Sequence, residues 1–171
     1  MRKSLVLCLL FVFPLPVVSG ADENDLTQKS YRDWTIVSGA DASEGCLATI
    51  SVGLKQPSSG LASVALYRIA EPQEDTVAVM TARVPLGASL SSGIAYLHPN
   101  GTEAVGLAWQ YCDEKTCLAS GSVSAAELAR FKKGRRIYLG FTPLPASRSL
   151  IVPVSLLGFT AAWSALETCQ A

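Results

Sequence analysis

The stretch "EAVGLAWQYCDEKTCLAS", residues 103–120, predicts two β-strands joined by a short charged turn. Its first half places apolar side chains at every second position, namely Val105, Leu107, Trp109 and Tyr111. Alternation with a period of two is typical of a strand with one buried face. Cys112 and Cys117 flank the turn, which raises three possibilities for the pair: a metal clip, a redox centre or a disulfide.

The spacing of these two cysteines favours a structural disulfide. A zinc site needs four ligands, whereas the pair offers two, and the single histidine, His98, lies in the distant turn sequence "YLHPNG". A thioredoxin-type centre has two residues between its cysteines at the start of a helix. Here four residues separate them, and the flanking sequences are strand-like. We therefore predict a Cys112–Cys117 disulfide and no metal site, with the redox and metal sites as alternatives.

The N-terminal segment "MRKSLVLCLLFVFPLPVVSG", residues 1–20, has the plan of a secretory signal peptide. Arg2 and Lys3 form a basic head, an apolar run of 14 residues follows, and small residues end the segment. This run is shorter than the ~20 apolar residues of a spanning helix, and two prolines interrupt it. We expect cleavage near Gly20 or Ala21; a retained membrane anchor is the alternative.

Removal of the signal leaves a chain that is close to neutral. The 14 Lys+Arg lose Arg2 and Lys3, which leaves 12 against 14 Asp+Glu and a net charge of about −2. Such a chain has no basic stripe for a phosphate backbone, so nucleic-acid binding is not expected. No second apolar segment of spanning length follows, so we expect no transmembrane segment after signal removal; peripheral association with an outer membrane stays open.

The cysteine count supports export. Cys8 leaves with the signal, and four cysteines remain: Cys46, Cys112, Cys117 and Cys169. An even count in an exported chain indicates disulfides. Four cysteines allow three pairings, and we favour Cys46 with Cys169 beside the local pair.

Residues 21–30 are polar and predicted to form a flexible leader, and residues 31–171 are predicted to form one domain. In the domain, apolar alternation recurs in short runs such as "CLATISVGLKQ", "LASVALYRIA", "TVAVMTARV", "RRIYLGF" and "SLIVPV". Turn sequences separate the runs, and Asn100-Gly101 is the strongest, a pair suited to a tight hairpin. Many short strands at this spacing predict an all-β, antiparallel β-sandwich.

Two short helices are expected to pack on the sheets. "SVSAAELARFKKG" offers Ser124 as an N-cap, Glu127 as a capping-box partner and Gly134 as a stop. "SLLGFTAAWSALETC" has apolar residues at helical intervals, although Gly158 weakens this prediction.

The sequence contains no recognisable catalytic constellation. No nucleophile elbow, zinc-protease, dinucleotide-binding or phosphate-loop pattern is present. His98 is predicted to be a solvent-exposed turn residue with no nucleophile partner, and the acidic pairs at 74–75 and 113–114 fall in predicted turns. We therefore predict no catalytic residue, no cofactor and no enzymatic activity.

Four motifs occur in order over residues 31–168: "YRDWTIV", "VPLGASLSSGIAYLHPNG", "YCDEKTCLA" and "LIVPVSLLGFTAAWSAL". Together they resemble the invasion-associated locus B family. The resemblance implies an exported Gram-negative protein, periplasmic or outer-membrane associated, with an immunoglobulin-like β-sandwich fold and no established enzymatic activity. The family is named for a role in host-cell invasion, and members also occur in free-living bacteria.

The cysteines bear on this resemblance in two ways. Cys112 and Cys117 match the family's central cysteine pair, which supports their disulfide. Ser38 lies near a position where relatives commonly carry a further cysteine. That departure fits a switched pairing of Cys46 with Cys169.

We expect an exported, non-enzymatic protein that acts through contacts with an envelope or host protein, in invasion, adhesion or envelope integrity. The candidate binding loops contain Asp113, Glu114, Lys115, His98 and Asn100. Both loops are alternatively plain solvated turns. The other functions left open are a glycan or small-ligand binding module and a carbohydrate-active or thiol-exchange enzyme.

Overall fold

The computed structural model describes residues 27–38, 46–52, 61–99, 101, 103–146 and 148–169. The predicted signal peptide lies outside these residues. Residues 27–30, which were predicted to belong to the flexible leader, instead form most of the first strand. Their polar side chains hid this strand from the analysis of apolar alternation, because the strand lies at the edge of the sheet and residues 28–30 are exposed.

Ten strands and two helices make up the described fold. They are β1 Thr27–Tyr31, β2 Trp34–Ser38, β3 Cys46–Val52, β4 Ala62–Gln73, β5 Thr76–Pro85, β6 Ile94–Leu97, β7 Val105–Cys112, β8 Thr116–Ser124, α1 Ala125–Lys133, β9 Arg136–Phe141, β10 Leu150–Ser155 and α2 Phe159–Thr168. The strands form one sheet in the order β1-β2-β3-β4-β5-β8-β7-β6-β9-β10. Every pairing is antiparallel.

The predicted antiparallel β architecture with two short helices is confirmed, but the immunoglobulin-like sandwich is not. A single sheet curls into a half-barrel, so that β10 approaches β3 across the curl while β1 and β10 remain its two edges. The inner face of a curled sheet meets itself, whereas a sandwich brings two separate faces together. Both arrangements bury every second residue of each strand. The alternation in the sequence therefore cannot distinguish them.

Helix α2 covers the inner face of β1, β2 and β3. Phe159, at the start of this helix, lies edge-on to the ring of Trp34, with ring centroids 5.0 Å apart. Trp34 is 1% exposed and its indole Nε1 donates a hydrogen bond to the Ser155 carbonyl at 2.9 Å. Phe159 also meets Phe131 of α1 at 5.9 Å. The aromatic core therefore joins both helices to the sheet.

Both helix boundaries follow from local chemistry. The Ser124 side chain accepts a hydrogen bond from the Glu127 backbone N–H, and the Gly134 N–H bonds to the Arg130 and Phe131 carbonyls, as the predicted caps require. The second predicted helix begins later than its apolar pattern indicates, because Gly158 has a φ of +88° and ends the preceding turn. Leu156 therefore lies before α2, although it is buried in the same core.

The structure contains both predicted disulfides. Cys112–Cys117 links the end of β7 to the start of β8, and the two residues are register partners. Cys46–Cys169 links the start of β3 to the residue after α2, across a sequence separation of 123. The long bridge thus fastens the covering helix to the sheet.

Candidate functional site

The two predicted binding loops lie at opposite ends of strand β7. His98 follows β6, whose Tyr96 pairs with Val105 at the start of β7, whereas Asp113 follows Cys112 at its end. The first and last of its 8 residues are seven steps of ~3.4 Å apart, which separates the two ends by roughly 24 Å. The loops therefore form two separate sites.

The Asp113 turn is held by its own carboxylate. Asp113 Oδ1 accepts hydrogen bonds from the Lys115 N–H at 2.8 Å and the Thr116 N–H at 2.7 Å. Arg83 of β5 pairs with Oδ2 at 3.3 Å. The backbone N–H bonds, with smaller contributions from the Thr116 hydroxyl and Arg83, lower the pKa of Asp113 below its usual value. Asp113 is thus engaged in the turn, while Glu114 and Lys115 are exposed beside it.

Replacing Asp113 by Ala is expected to lower the melting temperature at pH 7. The folded-state pKa is depressed, so the stability that the carboxylate provides is present above its unfolded pKa of ~3.9 and is lost as the pH falls through the folded value. The difference from the parent protein should therefore shrink below about pH 4. Glu114→Ala, which removes a neighbouring exposed carboxylate, is the matched control and should change little. An equal loss at pH 7 and pH 3 would contradict this role.

An apolar rim lies beside the Asp113 turn. We give this name to Leu86, Leu90 and Leu144, whose exposed fractions are 49%, 51% and 62%. Backbone hydrogen bonds join their segments: the Leu86 N–H bonds to the Lys115 carbonyl, and the Leu144 N–H to the Gly87 carbonyl. The indole Nε1 of Trp109 donates to the Leu90 carbonyl at 3.1 Å. No sequence pattern connects these leucines, because their proximity depends on contacts between distant loops.

The other end of β7 contains a buried polar cluster that sequence analysis missed. Glu127 of α1 is only 8% exposed, and one carboxylate oxygen lies 3.0 Å from His98 Nε2 and 3.4 Å from the Tyr96 hydroxyl. Its other oxygen accepts a hydrogen bond from Arg130 at 3.3 Å. Burial, then the charge of Glu127, raises the pKa of Tyr96, so this phenol remains a hydrogen-bond donor. The carboxylate that was predicted to complete a capping box therefore binds a histidine and a tyrosine instead.

His98 is not the exposed turn residue that its sequence context predicted. Its side chain is 13% exposed and its ring stacks on Phe131, with centroids 5.2 Å apart. The sequence did contain a signal of this burial. Ile94, Tyr96 and His98 stand at alternate positions, as residues on one face of a strand do, and the first two are buried. Asn100 lies outside the described residues, and the Gly101 N–H closes a turn onto the His98 carbonyl at 2.9 Å. Because β6 ends at Leu97 and β7 begins at Val105, the connection between them is longer than the predicted tight hairpin.

A cavity of about 1040 Å³ opens between the loop after β6 and the end of α1. We call it the His98 cavity. Its charged lining consists of Arg130, Lys133, Arg135, Arg136, Glu103 and Glu127. None of the described lining residues is a serine, threonine or cysteine. The described residues also contain no group of three side chains suited to a metal ion.

Comparison with known proteins decides the family. Residues 34–167 match the sequence profile described as "Invasion associated locus B (IalB) protein". The chain belongs to the IalB family. Two IalB relatives, the invasion protein B homologues of Brucella abortus strain 2308 and of biovar 1 strain 9-941, are each 28% identical over 141 residues, covering 82% of this chain and 79% of theirs.

A solved IalB-family structure supports the fold. The crystal structure of invasion associated protein B from Bartonella henselae superposes with a TM-score of 0.71 at 19% identity, covering 83% of this chain and 96% of that one. The curled sheet is therefore shared with a solved relative. Neither described helix has the length and apolar character that crossing a bilayer requires.

Proposed function

We propose that this IalB-family chain is an exported, non-enzymatic protein that acts through protein contacts in the envelope of a Gram-negative bacterium or at a host cell, in invasion or adhesion. Membership of a family named for invasion supports this role. The two disulfides support export, because such bonds persist in oxidising compartments and are rare in the cytosol. The apolar rim is the observation that carries the proposed mode of action.

The apolar rim has the character of a protein contact surface. Three leucines about half exposed or more stand on adjoining loop segments, and the polar Asp113 turn borders them. Apolar side chains that cluster on a surface with a polar border commonly mark interaction sites. Scattered single leucines would not support the same conclusion.

The rim is also held in place before any partner binds. Leu86 and Leu144 are fixed through backbone hydrogen bonds, and Leu90 through the Trp109 indole. The Cys112–Cys117 disulfide closes the strand pair that carries this indole. A preformed surface loses less conformational entropy on association, which favours binding.

The test is capture of partners from the native envelope fraction with a tagged chain. Leu90→Ser and Leu144→Ser should each reduce the amount of specifically captured partner about tenfold, the effect of an interface residue worth ~1.4 kcal/mol. Leu157→Ser is the matched control, because Leu157 is 40% exposed but lies before α2, at the far end of β10. Equal capture by the parent and both rim variants would refute contact through the rim, and recovery of the chain from the cytosol would refute export.

A further inference from the structure

The His98 cavity gathers positive charge on a chain whose formal net charge is 0. Arg130, Lys133, Arg135 and Arg136 line it, four of the 14 Lys+Arg of the sequence. Within the part of the chain that the structure describes, Lys133, Arg135 and Arg136 form no ion pair. We propose that the cavity binds a ligand through a phosphate group.

The acidic residue deepest in this cluster does not oppose such a ligand. Both carboxylate oxygens of Glu127 are already engaged, one by His98 and Tyr96 and the other by Arg130. The Arg130 side chain remains 65% exposed while this bond fixes one of its nitrogens. A guanidinium has five N–H donors, so a held Arg130 still offers donors to an anion. Glu127 therefore acts as a positioning residue for Arg130.

The position of the cations is not explained by the helix alone. Basic residues in the last turn of a helix complement the negative end of its dipole, which accounts for Arg130 and Lys133. Arg135 lies beyond the end of α1, and Arg136 is the first residue of β9. Like charges that converge on a concave surface repel one another. The Glu103 carboxylate also lines the cavity, but among the described residues it pairs with none of these cations. A bound anion would relieve this repulsion.

The number of cations and the size of the cavity indicate the class of ligand. A phosphate monoester carries about −1.5 to −2 charges and three acceptor oxygens, which suits several cations better than a carboxylate does. Arginine in particular binds phosphate with two parallel hydrogen bonds. A volume of about 1040 Å³ also exceeds what one phosphate ion fills and is close to the upper limit of small-molecule sites, ~1,000 Å³. The phosphate is therefore carried by a larger body, which a sugar or a lipid headgroup could provide.

This site is separate from the apolar rim, so the two proposals can fail independently. Calorimetric titration of the full disulfide-bonded chain should use inorganic phosphate, glucose 6-phosphate and glucuronate at constant ionic strength. Vesicles of phosphatidylcholine with and without phosphatidic acid form the lipid arm. We expect binding of glucose 6-phosphate or of phosphatidic acid vesicles, and the arm that responds identifies a soluble or a lipid source. Glucuronate, a singly charged carboxylate, should bind more weakly.

Variants test whether the cavity is the binding site. Lys133→Ser and Arg135→Ser should each lower the affinity for the phosphate probe that binds about tenfold, since each removes a charge-assisted hydrogen bond. Arg148→Ser is the matched control, because Arg148 is exposed and lies at the opposite end of β9, before β10. Unchanged melting temperatures would show that all three variants fold. The proposal is overturned if no phosphate probe binds, or if Arg148→Ser weakens binding as much as the cavity variants do.

Discussion

Gly158→Ala is expected to lower the free energy of unfolding by about 3 to 5 kcal/mol, enough to unfold a marginally stable domain. Gly158 has a φ of +88°, where an L-residue pays roughly 1–2 kcal/mol. A β-carbon there would also overlap the backbone carbonyl oxygen of Tyr31 and lie 3.0 Å from the Arg32 β-carbon. Because the main obstacle is backbone, no side-chain rotation can relieve it. Urea denaturation followed by circular dichroism measures the loss.

Two further glycines separate the cost of the positive φ from the cost of the steric overlap. Gly87 has nearly the same φ, +86°, but nothing lies within 4 Å of an added β-carbon, so Gly87→Ala should cost only the backbone part, roughly 1–2 kcal/mol. Gly106 has neither a positive φ nor a close neighbour, and Gly106→Ala should be nearly neutral. If Gly158→Ala lowered the free energy of unfolding no more than Gly87→Ala does, the steric contribution of the Tyr31 backbone would be refuted.

Removing the Cys46–Cys169 bridge is expected to cost about 5 kcal/mol in the chain-entropy description of disulfides. The reason is the sequence separation of 123, since a bridge across a long segment excludes many unfolded conformations. The double variant Cys46→Ala/Cys169→Ala avoids a free thiol. Its free energy of unfolding in urea should fall far below that of the parent.

The Cys112–Cys117 bridge provides the internal comparison. It spans a separation of 5, for which the same description gives about 2 kcal/mol. Cys112→Ala/Cys117→Ala should therefore be the milder variant, although Cys117 is itself buried. Equal losses in the two double variants would show that loop length does not set the contribution of these bridges.

Much of the fold follows from local patterns in the sequence. Period-two alternation located most of the strands, although β2 and β6 were not among the predicted runs. Ser124 and Gly134 bounded α1 because caps act over a few residues. Such patterns could not predict the curl of the sheet, since a half-barrel and a sandwich bury the same alternate side chains. Strand β1 was missed for a related reason: its residues 28–30 are polar and exposed, and its pairing with β2 is the only sign of its conformation.

The sites were less accessible from sequence than the fold. The Asp113 turn was located correctly, but its engagement with Arg83 depends on β5 and β8 being neighbours in the sheet. His98 and Glu127 lie 29 residues apart and meet only because α1 packs against the end of β6. Arg135 and Arg136 carry no motif of their own. Their significance comes from the concave surface that they share with the loop after β6.

The covering helix has a consequence for how the chain acquires its shape. When a polypeptide is synthesised from its N-terminus, Cys46 appears long before Cys169, which lies 123 positions further along the chain. Until α2 arrives, Trp34 and the inner face of β2 and β3 lack the surface that shields them. The packing of these early strands is therefore completed only by a segment near the C-terminus. The last segment to be synthesised thus completes both the core, through α2, and the long covalent link, through Cys169.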